Sequence, residues 1–241
     1  MRCGIISDVH GNLDALKAVE LELASRSVDR VICLGDVVGY GANPNECVEW
    51  VQRHCHTVIA GNHDWAATGQ TPLEYFNPIA KEACLWTRSH LDEDYLEYLR
   101  ELPLTFEWEE AIMVHATPSC PAEWDYLFSL IDAIREFKSF HQRICFVGHS
   151  HQVMVAVEEG KRYHMINSAI HHLKQGVRYI VNVGSVGQPR DLDPRASFGI
   201  YDTDKESIEI VRVPYKVENA QKKILKAGLP EFLAIRLAMG R

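Results

Sequence analysis

Apolar residues recur along this chain in short runs, and each early run stops at side chains able to coordinate a cation. Arg2–Ser7, Arg30–Leu34 and Thr57–Ala60 read as strands. They end at Asp8-Val9-His10, at Gly35-Asp36 and at Gly61-Asn62-His63-Asp64. Helical patterns separate them. Leu13, Leu16, Val19 and Leu23 follow Gly11-Asn12 at three-to-four spacing, and Asn43-Pro44 reads as an N-cap with proline in the first turn of a helix reaching about His54. Residues 1–64 therefore predict β-α-β-α-β, the pattern of a parallel sheet with right-handed crossovers.

The pattern changes over 65–110. Asn77-Pro78 opens a helix to about Leu91, and Asp92–Leu102 reads as an acidic helix stopped by Pro103. Ala111–Val114 is a strand ending in His115, and Arg143–Val147 is another ending in Gly148-His149-Ser150-His151, with a helix near Leu130–Phe140 between them. Five further strands are predicted at Val153–Val157, Tyr163–Ile166, Tyr179–Val183, Ser197–Asp202 and Ile208–Val213, largely antiparallel, before helices at Val217–Lys226 and after Pro230. One α/β domain over 1–241 is expected, with two sheets packed face to face between helices. Residues 65–110 and 116–142 are expected as mainly helical and loop insertions lining a cleft.

Composition narrows the class. Hydrophobic residues at 46% of 241 supply a core, and the net charge of −8, with no Lys/Arg run longer than Lys222-Lys223, argues against a surface for duplex nucleic acid. A nucleotide or small phosphate ester held by a few groups remains open. The seven cysteines are scattered with no C-x-x-C pair, the first strand follows Met1 directly, and no window approaches 18 apolar residues. A cytoplasmic protein with no membrane contact is expected; the sequence carries no signal for or against a homo-oligomer.

The chemistry sits at the strand ends. Asp8, His10, Asp36, Asn62, His115, His149 and His151 are the candidate metal ligands, and ligands in α/β sheets bind outside the carboxyl ends of strands. Oxygen and imidazole donors without cysteine suit hard-to-borderline divalent cations. A lone D-x-H is weak, but D-x-H, G-D, G-N-H-D, a strand-terminal His and G-H-x-H, each after a strand, are strong together.

In these motifs the chain resembles the calcineurin-like metallophosphoesterase superfamily, in its small prokaryotic-type phosphodiesterase and phosphatase branch, over residues 3 to 202. The resemblance implies a four-layer α/β/β/α sandwich with a two-metal site at strand C-terminal ends. By it, Asp8, His10 and His151 hold one divalent transition-metal ion, Asn62, His115 and His149 hold the second, and Asp36 bridges them. The native ions would be Mn²⁺, Fe, Ni²⁺, Co²⁺ or Zn²⁺. It implies hydrolysis of phosphomonoesters or phosphodiesters by a hydroxide shared between the ions. His63 would be the proton donor to the leaving group, with Asp64 as a candidate to orient it. Two departures stand out. The run after Asp36 is Val37-Val38-Gly39-Tyr40-Gly41, so Tyr40 replaces a phosphate-gripping arginine and Gly39 replaces an acidic residue, and Ala116 follows His115 where the family usually has glycine. Tyr40 and Arg190 are candidate substrate-binding residues. Arg195 is a second possible phosphate clamp, Trp65 and Trp124 are possible cleft walls, and Ile170–Gln175 a possible cleft edge. Rival readings are a dinucleoside polyphosphate hydrolase, a non-catalytic binding module of the same fold, and a DNA nuclease.

Overall fold

A computed structural model describes residues 1–241, the side chain of Tyr75 excepted. Twelve strands form two six-stranded mixed sheets. In the first, β1 (Arg2–Ile6), β2 (Arg30–Cys33) and β3 (Thr57–Val58) run parallel, and β11 (Ala196–Asp202), β12 (Ser207–Val213) and β9 (Ile170–His172) continue antiparallel from the other side of β1. In the second, β5 (Ala111–Val114), β6 (Ile144–Val147) and β10 (Val177–Val183) are parallel. Antiparallel to them are β4 (Thr105–Trp108) beside β5 and β7 (Val153–Glu159) beside β10, and β8 (Arg162–Ile166) closes the sheet antiparallel to β7.

The late strands therefore do not make a sheet of their own. Three join each sheet, and β10 enters parallel to β6, so its C-terminal end faces the same way as those of β1, β2, β3, β5 and β6. The apolar pattern did not announce β4, β9 or α3 (Asn62–Thr68): β4 hides its alternation behind Glu107 in a charged stretch, β9 is three residues long, and α3 begins inside the G-N-H-D motif itself.

Alternation along the strands sets the layers. Cys3 and Ile5 of β1, Ile144 and Phe146 of β6, and Val181 and Val183 of β10 fill the space between the sheets. The opposite face of the first sheet packs under α1 (Leu13–Ser25), α2 (Pro44–His54) and α5 (Glu93–Arg100) through Leu16, Val19, Val48, Val51 and Leu99. Cys145 and Val147 face α6 (Leu130–Glu136) on the far side of the second sheet. The helices α4 (Pro78–His90), α7 (Val217–Lys226) and α8 (Glu231–Met239) gather around Tyr40. The result is a four-layer α/β/β/α sandwich with six parallel strand ends converging at one rim. Among the described residues no helix is long and apolar enough to cross a membrane.

Candidate metal centre and substrate cleft

The loops at that rim are held in an uncommon backbone shape. Asp8, His10, Asp36, Tyr40, His149 and His151 all have left-handed φ, between 49° and 62°, and they are six of eleven such non-glycine residues among those described. A non-glycine residue there costs about 1–3 kcal/mol. Inter-loop bonds keep them in place: Asp8 N–H donates to Gly35 O at 3.0 Å, His10 N–H to Asp36 O at 2.9 Å, and Gly187 N–H to Asp8 O at 2.9 Å. Gly148 is fixed by contact, since a Cβ there would overlap Ser7 Oγ and lie 2.6 Å from Asp8 Oδ2.

Two donor clusters result. Asp8, His10, Asp36 and His151 each offer one atom within 4.8 Å of the others, and Asp36, His115 and His149 do the same. Asp36 belongs to both. Its Oδ2 lies 3.5 Å from His10 Nε2 and 3.4 Å from His115 Nε2. Asp8 Oδ1 lies 3.2 Å from His151 Nε2. All these residues are buried.

Main-chain carbonyls aim three of the imidazoles. His10 Nδ1 donates to Val38 O at 3.0 Å, His115 Nδ1 to Leu34 O at 2.7 Å and His151 Nδ1 to Gln188 O at 2.6 Å. A carbonyl only accepts, so each Nδ1 carries a proton and each Nε2 is turned inward, with its lone pair free wherever the ring is neutral. The two inward lone pairs of His10 and His151 then stand 3.1 Å apart. That approach is repulsive unless a proton or a cation lies against both. Asp8 Oδ1, Asp36 Oδ2, Asn62 Oδ1, His115 Nε2 and His149 Nε2 are buried with no hydrogen-bond partner, a costly condition for polar atoms in a protein interior. The donor set fits divalent cations.

The electrostatics divide the imidazoles. Burial keeps His10, His149 and His151 neutral, with His149 pushed down to about 3. Burial also works against a proton on His115, but the Asp36 and Asp8 carboxylates beside it hold its pKa up, to about 9. For Asp8 burial favours the neutral acid, yet His151 and His115 outweigh it and keep the carboxylate ionised.

His63 and Asp64 lie in the first turn of α3, and their roles separate. Asp64 accepts backbone N–H bonds from Asp36 (2.8 Å), Val37 (2.9 Å), Val38 (3.2 Å) and Gly61 (3.0 Å). With both oxygens so engaged, it does not orient His63. Asp64 ties the Asp36 loop to the start of α3, and burial next to Asp36 raises its pKa to about 7. The group at His63 Nδ1 is the Cys84 thiol, 3.3 Å away, which sequence reading had no signal to find. Burial holds that thiol up at about 12 and His63 down at about 4. A protonated thiol beside a neutral imidazole can donate to Nδ1, which puts the ring proton on Nε2. Gly39 makes room for this ring: its φ is +92°, and a Cβ would stand 2.6 Å from His63 Nδ1.

His63, Asn62 and His149 lie on a cleft of about 670 Å³ bordered by Trp65, Phe76, Trp124 and Tyr126. Tyr126, absent from the sequence reading, stacks on His149 with centroids 4.2 Å apart. Arg190 reaches Tyr40 Oη at 3.5 Å, with its guanidinium 5.7 Å from the ring centroid. Its neighbouring acids are engaged elsewhere, Asp191 with Arg212 and Asp193 with Arg195. Two expectations are corrected. Arg195 is paired with Asp193 rather than directed at the site, and Ile170 and His172 border a hollow with Arg2 and Asp202 at the opposite end of β1 from Asp8.

A family sequence model described as the calcineurin-like phosphoesterase superfamily domain matches residues 1–206. An uncharacterized protein of Methanocaldococcus jannaschii is 43% identical over 242 residues, covering 98% of this chain and 97% of that one. The crystal structure of a metallophosphoesterase from Sphaerobacter thermophilus is 42% identical with a TM-score of 0.89, covering 100% of this chain and 99% of that one. A hypothetical protein from Pyrococcus horikoshii shares the fold at 18% identity with a TM-score of 0.81, over 100% and 98% of the two chains. The chain belongs to the calcineurin-like phosphoesterase superfamily.

Proposed function

We propose that this protein hydrolyses phosphate mono- or diesters with two divalent cations held at the strand-end rim. The observation carrying this reading is the pair of buried donor clusters that share Asp36. Asp8, His10 and His151 would hold one cation, Asn62, His115 and His149 the other, and Asp36 would touch both. When bound, such cations supply positive charge to the phosphoryl oxygens and lower the pKa of water enough to provide a nucleophile near neutral pH.

The rest is the work of the chain. Val38, Leu34 and Gln188 carbonyls fix the imidazoles, so little reorganisation accompanies reaction. His63, held from behind by Cys84, presents Nε2–H to the departing oxygen. It acts as a neutral donor, which suits a buried imidazole. Arg190 has no carboxylate partner among the described residues, and its fork of donors is available to a phosphoryl oxygen through a modest shift from Tyr40 and Gln188. A complete donor set with His63 in place counts against a non-catalytic module.

The test is hydrolysis of bis(p-nitrophenyl) phosphate and p-nitrophenyl phosphate by purified protein before chelation, after chelation, and after Mn²⁺, Co²⁺, Ni²⁺, Fe²⁺ or Zn²⁺ is restored. Activity that disappears with chelation and returns with a cation supports the reading. Undiminished activity in chelator, or none with any cation on either ester, refutes it.

A further inference from the structure

The cleft above the donor clusters is walled by rings and almost free of charge. Trp65 and Phe76 come from the segment after the Asn62-His63 motif, and Trp124 and Tyr126 from the loop after β5. Trp65 and Trp124 meet edge to face, 5.2 Å between centroids at 84°, so two perpendicular indoles form a corner. Phe128 stacks on Tyr126 (4.9 Å, 9°) and Tyr126 on His149 (4.2 Å, 22°). That column of three rings runs from a candidate cation ligand out to solvent, with Tyr126 49% and Phe128 53% exposed. Exposed aromatic rings contiguous with a polar centre mark a place where a ligand covers them. Glu123 is the one lining residue that carries a formal charge, and neither Lys nor Arg lines the cleft among the described residues.

Resting on the phosphoesterase reading above, we infer that the organic group of the substrate held in this cleft is a nucleobase, so that the ester cleaved is that of a nucleotide with one phosphate at the metal centre. Two or more further phosphates in the cleft would meet Glu123 and no cation, which disfavours a polyphosphate chain. An acidic phosphopeptide is disfavoured for the same reason. A simple alkyl or sugar ester fits the volume but leaves the perpendicular rings without a flat partner. A base stacks on an aromatic face whatever its identity, and an exocyclic amino group can donate to the Glu123 carboxylate at the rim.

Two readouts separate this inference from the reading beneath it. The first needs no turnover: ligand-observed NMR of the metal-loaded protein with adenosine and with ribose, neither of which has an ester to cleave. Adenosine should bind saturably and ribose should not. Trp124→Ala should weaken adenosine about tenfold or more, while Trp124→Phe, which keeps a ring, should retain most of the binding. The second compares thymidine 5′-(p-nitrophenyl phosphate) with methyl and octyl p-nitrophenyl phosphate, which share one leaving group. The nucleoside ester should exceed both in kcat/KM by about tenfold or more, and Trp124→Ala should bring the ratios towards one. Hydrolysis of all three esters with no preference for the nucleoside, or no saturable adenosine binding, overturns the inference and leaves the phosphoesterase reading standing. An octyl ester that matches or exceeds the nucleoside ester assigns the cleft to apolar chains and also overturns it. Adenosine binding through Trp124 in a protein that hydrolyses none of the esters supports the base site and refutes the phosphoesterase reading.

Discussion

Replacing Gly39 with alanine isolates what holds His63. The added Cβ would stand 2.6 Å from His63 Nδ1 where ordinary contact begins at 3.4 Å, so the ring must retreat by 3.4 − 2.6 = 0.8 Å. It cannot retreat freely, because Cys84 lies 3.3 Å from the same nitrogen, the Tyr40 ring centroid is 4.4 Å from its own, and Phe76 meets its edge at 5.2 Å. The backbone adds strain, since φ at residue 39 is +92° and alanine there costs at least the ~1–2 kcal/mol of an ordinary left-handed residue. With the steric overlap, a loss of about 2–3 kcal/mol is expected, or roughly 4–12 °C in Tm for a chain of this size. A displacement near 1 Å costs about 10²-fold in rate where position matters. Gly39→Ala should therefore lose about 10²-fold on an alkyl phosphodiester and much less on bis(p-nitrophenyl) phosphate, whose leaving group needs little help. Metal content should be unchanged, because the atoms nearest the added Cβ all belong to His63, which is not a proposed ligand. Circular dichroism melts, elemental analysis and the two rates measure this. A variant with wild-type Tm and an undiminished rate on the alkyl ester would refute the placement of His63 argued here.

The other substitutions divide the site by role. Asp36→Asn removes the one carboxylate common to both clusters, so elemental analysis should find at least one cation lost or loosened along with activity. His63→Ala should keep both cations and fall ~10²-fold or more on poor leaving groups only, whereas an equal fall on good ones would mean that it positions phosphate. Asp64→Ala strands four backbone N–H donors, and at about 1 kcal/mol or more each the melt should drop by upwards of ~4 kcal/mol with no dependence on leaving group. A stable variant with a selective defect on alkyl esters would restore the orienting role that the sequence suggested.

The rim was legible because each candidate ligand closely follows a strand, and β-strands announce their ends through apolar runs. Asp8, Asp36, Asn62, His115, His149 and His151 needed only that local signal. What was illegible depends on direction or on non-local contact. Asp64 adjoins His63 in sequence, but on the first turn of a helix its carboxylate reaches back to Gly61 and the Asp36 loop, a choice that spacing does not encode. Cys84 and Tyr126 meet His63 and His149 from separate segments, and neither has a motif. The left-handed backbone at six rim residues is invisible too, because Asp, His and Tyr carry no mark of φ as glycine does. Ile170–Gln175 was expected at the cleft edge, whereas pairing of Ile170–His172 with Ser207–Glu209 carries that strand to the far end of the sheet.

In the proposed centre Asp36 is shared by two cations. An anomalous difference map from crystals grown with Mn²⁺ tests it most directly. Two peaks are expected, one among Asp8, His10 and His151 and one among Asn62, His115 and His149, each within bonding reach of an Asp36 carboxylate oxygen. A single peak, or two of which one does not touch Asp36, would contradict it.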